Sequence, residues 1–167
     1  MADRRNPLAA TGETVRFNVR RLREASNLGY AELARRLKAN GRGIPELGLR
    51  RIEEGERRVD ADDLVALAVA LDVSPITLLM PSTSDADGIV AMSAGTATAH
   101  QFWGWLAAET PLTGDAPSDV FGFILRSVPA WLLGTEIDLV ESGLAPNQAF
   151  SVRRRVRELG QHTDGHD

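Results

Sequence analysis

The sequence predicts an all-α fold in which five short helices form one N-terminal domain over residues 11–81, followed by a mostly helical region with two candidate short strands. Two observations carry this prediction. Apolar residues in the first half recur at spacings of three and four, the repeat of a helix with one buried face. Residues that favour helix ends stand between these stretches, with Asp60 and Ser74 in N-cap positions and Gly55 where a helix would end.

The first two helices are defined by their apolar faces. Helix 1 is predicted over residues 12–26 with Thr11 as its N-cap, and helix 2 begins near Tyr30. Residues 38–43 are predicted to form a turn, because their two glycines disfavour a helix. The residues expected to face the core are Val15, Val19, Leu22, Leu33, Ala34 and Leu37, with Leu28 packing between the helices.

The next three helices have clearer ends. Helix 3 is predicted to begin at Pro45, because proline fits a first helical turn, and to end at Gly55. Helix 4 follows Asp60, and helix 5 follows Ser74, with Pro75 in its first turn. Their expected core residues are Leu49, Ile52, Leu64, Leu67, Ala68, Leu71, Leu78 and Leu79.

The remaining segments have weaker patterns. Residues 1–10 are expected to be a flexible basic arm, residues 82–88 a polar linker and residues 161–167 a disordered tail. Residues 89–160 are predicted to mediate oligomerisation or to bind a partner. The elements expected within this region are short strands at Ile89–Met92 and residues 96–98, and helices over residues 99–109, after Ser118, after Thr135 and over residues 146–159.

Charge is unevenly distributed along the chain. The net charge is −4, yet residues 1–60 carry +5 and residues 61–167 carry −9. A basic half can bind phosphates while an acidic half serves another purpose. The absence of cysteine excludes disulfides and thiolate metal sites, and we expect no metal or other cofactor. No apolar run reaches the ~18 residues of a membrane span, so we expect a cytoplasmic protein without a membrane partner.

Helix 2, the turn and helix 3 have the properties of a unit that places one helix in the DNA major groove. Such a helix needs an apolar back face, exposed side chains that reach bases, and flanking groups that bind phosphates. Leu49 and Ile52 form the back face. The residues on the outer face and its flanks are Glu46, Leu47, Arg50, Arg51, Arg42, Arg57 and Arg58.

Three stretches of the sequence resemble the XRE family of Cro-like and phage-repressor-like DNA-binding proteins. They are residues 29–37 (GYAELARRL), residues 49–58 (LRRIEEGERR) and residues 64–75, a leucine- and alanine-rich stretch that ends in Ser-Pro. The resemblance covers roughly residues 12–81 and implies a five-helix repressor-like helix-turn-helix domain. It also implies a transcriptional regulator that binds double-stranded DNA, by preference a repressor, with the phage-immunity type as one possibility. We expect a homodimer, and monomeric binding through both halves of the chain is the alternative. The long turn and the stretch after helix 3 are similar to actinobacterial and actinophage members.

The resemblance also assigns roles to single residues. The residues that it places at base edges are Glu46, Leu47 and Arg51. The residues that it places at DNA phosphates are Tyr30, Arg57 and Arg58. It further implies an ion pair between Arg23 of helix 1 and Glu53 of helix 3, which would set the angle of helix 3.

The sequence departs from the family pattern at several positions. The turn is several residues longer than usual, so Arg42 is a candidate DNA contact from the turn. Glu46 stands where glutamine or serine is frequent, and it could accept a hydrogen bond from a cytosine amino group or repel a phosphate. Glu54 replaces a common asparagine, which argues against a phosphate contact there. Gly48 costs the helix ~1 kcal/mol relative to alanine, although a small residue would allow close approach to DNA.

Other functions remain open from the sequence. One alternative is an antitoxin-like protein-interaction module whose C-terminal half binds a protein partner, with DNA binding secondary. Another is a ligand sensor in which Trp103, Trp105 and Trp131 line a pocket, although such residues more often fill a core. An enzyme is not predicted, because no catalytic motif is present and the one lysine, Lys38, lies in the N-terminal half.

Two polar clusters near the C-terminus have ordinary explanations. The run Arg153, Arg154, Arg155 and Arg157 could touch DNA, but a solvated helix face is the more common reason for such a run. His162 and His166 are four residues apart, yet a metal site would need a rigid helix around them. We therefore predict no metal site there.

Overall fold

The computed structural model of the chain describes residues 7–114, 116–132, 136–141 and 150–155. Within these residues the chain forms seven α-helices and two antiparallel β-hairpins, which confirms the predicted mostly α fold. The helices are α1 Ala10–Ala25, α2 Tyr30–Ala39, α3 Glu46–Glu53, α4 Ala61–Ala70, α5 Pro75–Leu79, α6 Ala99–Leu106 and α7 Pro117–Ser127. The strands are β1 Ile89–Met92, β2 Gly95–Thr98, β3 Glu136–Glu141 and β4 Phe150–Arg155, and a short 3-10 helix spans Ala130–Leu132.

The chain divides into two compact units, Met1–Trp103 and Gly104–Asp167. The linker predicted over residues 82–88 contains no helix or strand, but the first unit continues beyond it to include the β1–β2 hairpin. Of the predicted terminal segments, residues 1–6 of the arm and the whole tail lie outside the described residues.

Each of the first four helices ends in a Schellman motif, in which one residue adopts a left-handed conformation and two backbone N–H groups turn back onto the helix. At the end of α3 that residue is Gly55, with a φ of +80°. Its N–H donates to the carbonyl of Ile52 over 3.1 Å, and the N–H of Glu56 donates to the carbonyl of Arg51 over 2.8 Å. The prediction that Gly55 ends this helix is confirmed. The equivalent residues of α1, α2 and α4 are Asn27, Gly41 and Asp72.

Side chains cap the starts of α4 and α5, as the sequence predicts. The carboxylate of Asp60 accepts from the backbone N–H of Asp63 over 2.7 Å, which satisfies a donor that has no partner within the helix. The hydroxyl of Ser74 accepts from the N–H of Ile76 over 3.3 Å, and Pro75 occupies the first turn.

The predicted cap of α1 is wrong. The helix begins at Ala10, so Thr11 lies inside it. The Thr11 hydroxyl instead accepts from the backbone N–H of Ser93 in the β1–β2 turn over 2.9 Å. A threonine just before an apolar helix face can either cap the helix or accept a hydrogen bond from a distant backbone group, and here it does the second.

The β1–β2 hairpin continues directly into α6. Its register pairs Ile89 with Thr98 and Met92 with Gly95. Thr98 and Gln101 form a reciprocal capping box at the start of α6, in which each side chain accepts from the other's backbone N–H, over 3.2 and 3.1 Å. The predicted helix over residues 99–109 is therefore present, but it ends at Leu106.

The core of the first unit is formed by the inner faces of the first five helices. All the predicted aliphatic core positions belong to it, with Leu22, Ala34, Leu64 and Leu79 only partly buried. The periodic pattern did not predict Ile44, which lies in the turn between α2 and α3 and is 1 % exposed. Nor did it predict Asn18, a buried polar residue whose amide nitrogen donates to the carbonyls of Thr77, Leu78 and Met80 at the end of α5.

The last helix predicted, over residues 146–159, is wrong. Phe150–Arg155 forms strand β4, which pairs antiparallel with Glu136–Glu141, where a short helix after Thr135 was expected. The register of this pairing places Glu136 opposite Arg155 and Asp138 opposite Arg153. The arginine run to residue 155 therefore belongs to a strand, whereas Arg157 lies outside the described residues.

Candidate nucleic-acid interface

Helix α3 has one buried and one exposed face. Leu49 and Ile52 are fully buried in the core of the first unit. The opposite face carries Glu46, Leu47, Arg50 and Arg51, all of them exposed, and the side chain of Leu47 is 58 % exposed. An exposed leucine on this face can contact a thymine methyl group in a groove. The structure thus brings together the four residues predicted to point outward.

The last residue of α3, Glu53, is the centre of a buried cluster that we call the Glu53 cluster: Glu53, Arg23 and Tyr30. Arg23 of α1 donates to Glu53 in a bidentate pair, from Nε to Oε1 over 2.7 Å and from Nη2 to Oε2 over 3.0 Å. The hydroxyl of Tyr30, the first residue of α2, donates to Oε2 over 2.7 Å. Glu53 therefore ties α3 to both preceding helices, as expected for the Arg23–Glu53 ion pair.

The Glu53 cluster is also favoured electrostatically. The hydrogen bond to Glu53 raises the pKa of Arg23, so its charge is retained despite burial. Burial and the hydrogen bond to Glu53 raise the pKa of Tyr30, in that order of importance. Because the Tyr30 hydroxyl is engaged by Glu53, the phosphate contact that the resemblance implies would have to share it.

The aromatic ring of Tyr30 links the buried cluster to the exposed face of α3. The guanidinium of Arg50 lies 4.4 Å from the ring centroid, and that of Arg23 lies 4.2 Å from it. Stacking on an aromatic face restricts an arginine while leaving its N–H groups able to donate. Arg50 is consequently held in place beside Arg51, for which the described residues provide no side-chain partner.

A second buried carboxylate lies near the start of α4 and organises what we call the Asp63 cluster: Asp63, Asp60, Arg42 and Arg57. The side chain of Asp63 is 1 % exposed. Arg42 of the turn donates from Nε to Oδ1 over 2.9 Å, and Arg57 from the loop after α3 donates from Nη2 to Oδ2 over 2.7 Å. Arg42 also donates from Nη2 to Asp60 over 3.2 Å. The hydrogen bond to Asp63 raises the pKa of Arg42.

The long turn between α2 and α3 is anchored at both of its ends. Gly41, with a φ of +85°, closes α2, and Ile44 inserts into the core. Gly48 is buried beneath this turn, where an added Cβ would lie 2.9 Å from Nη1 of Arg57 and 3.0 Å from Cγ2 of Ile44. The glycine thus makes room for the turn and for Arg57, and not for DNA as the sequence suggested.

Two further arginines lie beside the end of α3. Nη2 of Arg58 donates to the carbonyl of Pro7 over 2.6 Å. Arg16 of α1, which was not among the predicted site residues, donates from Nη1 to the carbonyl of Glu53 over 3.2 Å and pairs with Glu13. Arg16 was not predicted, although the implied Arg23–Glu53 ion pair already placed helix 1 beside the end of helix 3.

The other candidate sites do not assemble in the described part of the chain. Trp103 and Trp105 line different surface hollows, and Trp131 is 76 % exposed. No group of three or more metal-ligating side chains occurs among the described residues, and His162 and His166 lie outside them. None of the described helices is both long enough and apolar enough to span a bilayer.

Comparison with known proteins identifies the region that contains this surface. The profile of a family described as a helix-turn-helix domain matches residues 17–78, less than half of the chain. The match runs from the middle of α1 to α5 and includes both carboxylate clusters. A helix-turn-helix domain indicates a DNA-binding regulator. No characterised protein and no solved structure shows significant similarity to the chain.

Proposed function

We propose that the chain is a sequence-specific transcriptional regulator, a repressor of the XRE type, that occupies an operator through α3 in the major groove. The observation that carries this proposal is the exposed face of α3, whose position is fixed from behind by the core and at its C-terminal end by the Glu53 cluster. A rigid helix with exposed polar side chains is what direct base readout requires.

The side chains on this face support distinct roles. No described side chain pairs with Arg51, so its N–H groups can make a bidentate contact to guanine, and Leu47 offers an apolar contact to thymine. Glu46, in the first turn of α3, is the candidate acceptor for a cytosine amino group. A set of arginines surrounds this face with donors that can bind backbone phosphates, namely Arg42, Arg50, Arg57 and Arg58.

The proposal also includes that the chain binds DNA as a homodimer and that it does so in the cytoplasm. Two recognition helices related by a twofold axis would lie roughly 34 Å apart and would read a pseudo-palindrome. The C-terminal unit offers apolar surface for self-association, since Phe121 and Leu125 lie four residues apart on α7 and are 49 % and 47 % exposed. Substituting both residues with serine should convert a dimer to a monomer in light scattering coupled to size exclusion.

The test of the proposed function is fluorescence anisotropy with the full-length protein. One labelled duplex carries the sequence upstream of the protein's own coding region, and a second duplex carries the same bases in shuffled order. We expect tighter binding to the upstream duplex and a steep loss of affinity as salt rises, because bound arginines release counterions. Equal weak binding to both duplexes, or no binding, would contradict the proposal.

A second candidate function is an antitoxin-like module whose C-terminal unit binds another protein. The exposed apolar side chains of that unit, including Trp131, favour it as well. The two functions differ in which unit carries the activity. A chain that shows no DNA preference, but whose Phe121 and Leu125 are protected from solvent by a protein ligand, would support the second.

A further inference from the structure

The Asp63 cluster joins the segments that precede and follow α3 in the chain. Arg42 lies four residues before the helix begins at Glu46, and Arg57 lies four residues after it ends at Glu53. Each donates to a different oxygen of the same buried carboxylate, Arg42 to Oδ1 and Arg57 to Oδ2. One side chain therefore holds close together two cations from the segments before and after the candidate recognition helix.

Both arginines are partly exposed and have N–H donors that the contacts among described residues do not use. Their side chains are 44 % and 36 % exposed, whereas Asp63 is 1 % exposed. The contacts among described residues use Nε and Nη2 of Arg42 and Nη2 of Arg57, out of the five N–H groups that each guanidinium carries. The remaining N–H groups are available to another acceptor.

The placement of Asp63 argues for a role beyond neutralising charge. Asp60 already caps α4 and offers an exposed carboxylate to Arg42. Burying a further carboxylate costs free energy that only well-formed hydrogen bonds offset, and Asp63 receives one on each oxygen. Such an arrangement holds two flexible side chains in one geometry, which lowers the entropy that they would lose on binding phosphates.

We propose that Asp63 is a positioning residue for DNA binding, which holds Arg42 and Arg57, from the segments before and after α3, side by side with their remaining N–H groups directed to backbone phosphates. This inference rests on the proposed function. The same hydrogen bonds would have the opposite effect if Asp63 competed with phosphate for the N–H groups of the two arginines. Asp63 would then weaken their attraction to DNA. The two effects predict changes of opposite sign when Asp63 is neutralised.

The experiment compares full-length wild type with Asp63→Asn on the upstream and shuffled duplexes over a salt series. Positioning predicts that the variant binds both duplexes about tenfold more weakly, because arginines that bind phosphates carry no sequence information. The slope of log affinity against log salt should become shallower by about 0.9 for each phosphate that the variant no longer binds. Unchanged or tighter binding by Asp63→Asn would overturn the inference.

The matched control is Asp62→Asn. Asp62 is an exposed neighbour in the first turn of α4, and its replacement removes the same charge near the same arginines. We expect this variant to bind DNA as tightly as wild type or slightly more tightly. An equal change of affinity in both variants would show that the hydrogen bonds from Asp63 to the arginines make no difference, which also contradicts positioning.

Two further measurements separate positioning from loss of the fold. Near-ultraviolet circular dichroism of Asp63→Asn at the assay temperature reports whether the domain remains folded. In a chain that already carries Arg42→Ala and Arg57→Ala, Asp63→Asn should cause no further loss of affinity, whereas a further tenfold loss would mean that Asp63 acts through stability alone. If wild type binds neither duplex, the proposed function fails and the inference fails with it; if wild type binds and Asp63→Asn binds equally well, only the inference fails.

Discussion

The two buried carboxylates beside α3 have similar hydrogen bonds but very different surroundings. Glu53 is paired with Arg23, whose side chain is 11 % exposed, and with the half-buried Tyr30. Asp63 is paired with Arg42 and Arg57, whose side chains are 44 % and 36 % exposed. Arg23, the charged partner of the first carboxylate, is enclosed by protein, whereas both charged partners of the second reach solvent.

This difference indicates what each cluster does. A carboxylate whose charged partner is enclosed fixes the backbone elements that carry its partners, so the Glu53 cluster sets the position of α3. A carboxylate whose partners are exposed instead fixes cations at the surface. The same chemistry thus serves stability at one site and, by our proposal, ligand binding at the other.

The largest effect should come from removing one charge from each cluster and comparing stability. Glu53→Gln leaves the buried charge of Arg23 without its main counterion, so we expect a loss of about 3–5 kcal/mol in the free energy of unfolding. Asp63→Asn releases arginines that water can solvate, so about 1–3 kcal/mol should be lost. Chemical denaturation followed by circular dichroism measures both. Equal losses would remove the distinction between the clusters.

A smaller effect, on the preference between DNA sequences, is expected from a variant on the exposed face of α3. Arg51→Ala should reduce the preference for the upstream duplex over the shuffled one by ~1–3 kcal/mol, because it removes a side chain that, by our proposal, reaches a base edge. The measurement is anisotropy on both duplexes at one salt concentration. Arg35→Ala is the matched control, since Arg35 is an exposed arginine of α2 that pairs with Glu32.

These two variants together test whether the exposed face of α3 reads the DNA sequence. Arg35→Ala removes the same charge and should leave the preference between the two duplexes unchanged. If Arg51→Ala also left it unchanged, the exposed face of α3 would not be the surface that reads sequence, and the placement of α3 in the groove would be wrong.

Local patterns in the sequence were sufficient to locate the first five helices, although not the start of α1. Their faces repeat every three to four residues, and Asp60, Ser74 and Gly55 mark their ends through hydrogen bonds within a few residues. Such signals need no knowledge of the rest of the fold. Ile44 was missed for the complementary reason: it lies in a turn, outside any periodic stretch, and only the packing of α2 against α3 buries it.

Pairings between distant residues could not be predicted from local patterns. In residues 146–159 a helical spacing of Ala149, Val152, Val156 and Leu159 coexists with the alternation of Phe150 and Val152. The partner strand Glu136–Glu141 decides in favour of β-structure. The role of Asp63 could not be predicted from local patterns either, because its partners lie 21 and 6 residues away in the sequence. By its local pattern, Asp63 is an ordinary acidic residue at a helix start.

A variant of Arg58 tests whether the Asp63 cluster acts independently of its neighbouring arginine. Arg58 follows Arg57 directly and donates to the carbonyl of Pro7. Arg58→Ala should weaken binding to both duplexes equally and make the salt slope shallower by about 1, without changing the preference between them. In combination with Asp63→Asn its effect should be additive, because the two residues form separate hydrogen bonds. Strong coupling would extend the cluster to Arg58.

The smallest and most specific effect concerns the pKa of Tyr30. The chain contains one tyrosine, so the phenolate absorbance reports this residue alone. Burial and the hydrogen bond to Glu53 raise its pKa, so native protein should titrate at higher pH than protein in denaturant. Because the folded-state pKa is the higher one, the stabilisation is complete below the ordinary tyrosine pKa of about 10 and is lost as pH rises through the folded-state value.

Variants of the two carboxylates connect this titration to the comparison between the clusters. Glu53→Gln removes the negative charge that accepts from the Tyr30 hydroxyl, so the native midpoint should move toward that of the denatured protein. Asp63→Asn should leave the midpoint where it is in wild type, because Asp63 makes no described contact with Tyr30. A midpoint that responded equally to both variants would mean that the two carboxylates form one electrostatic unit around α3, and that separate roles for them cannot be maintained.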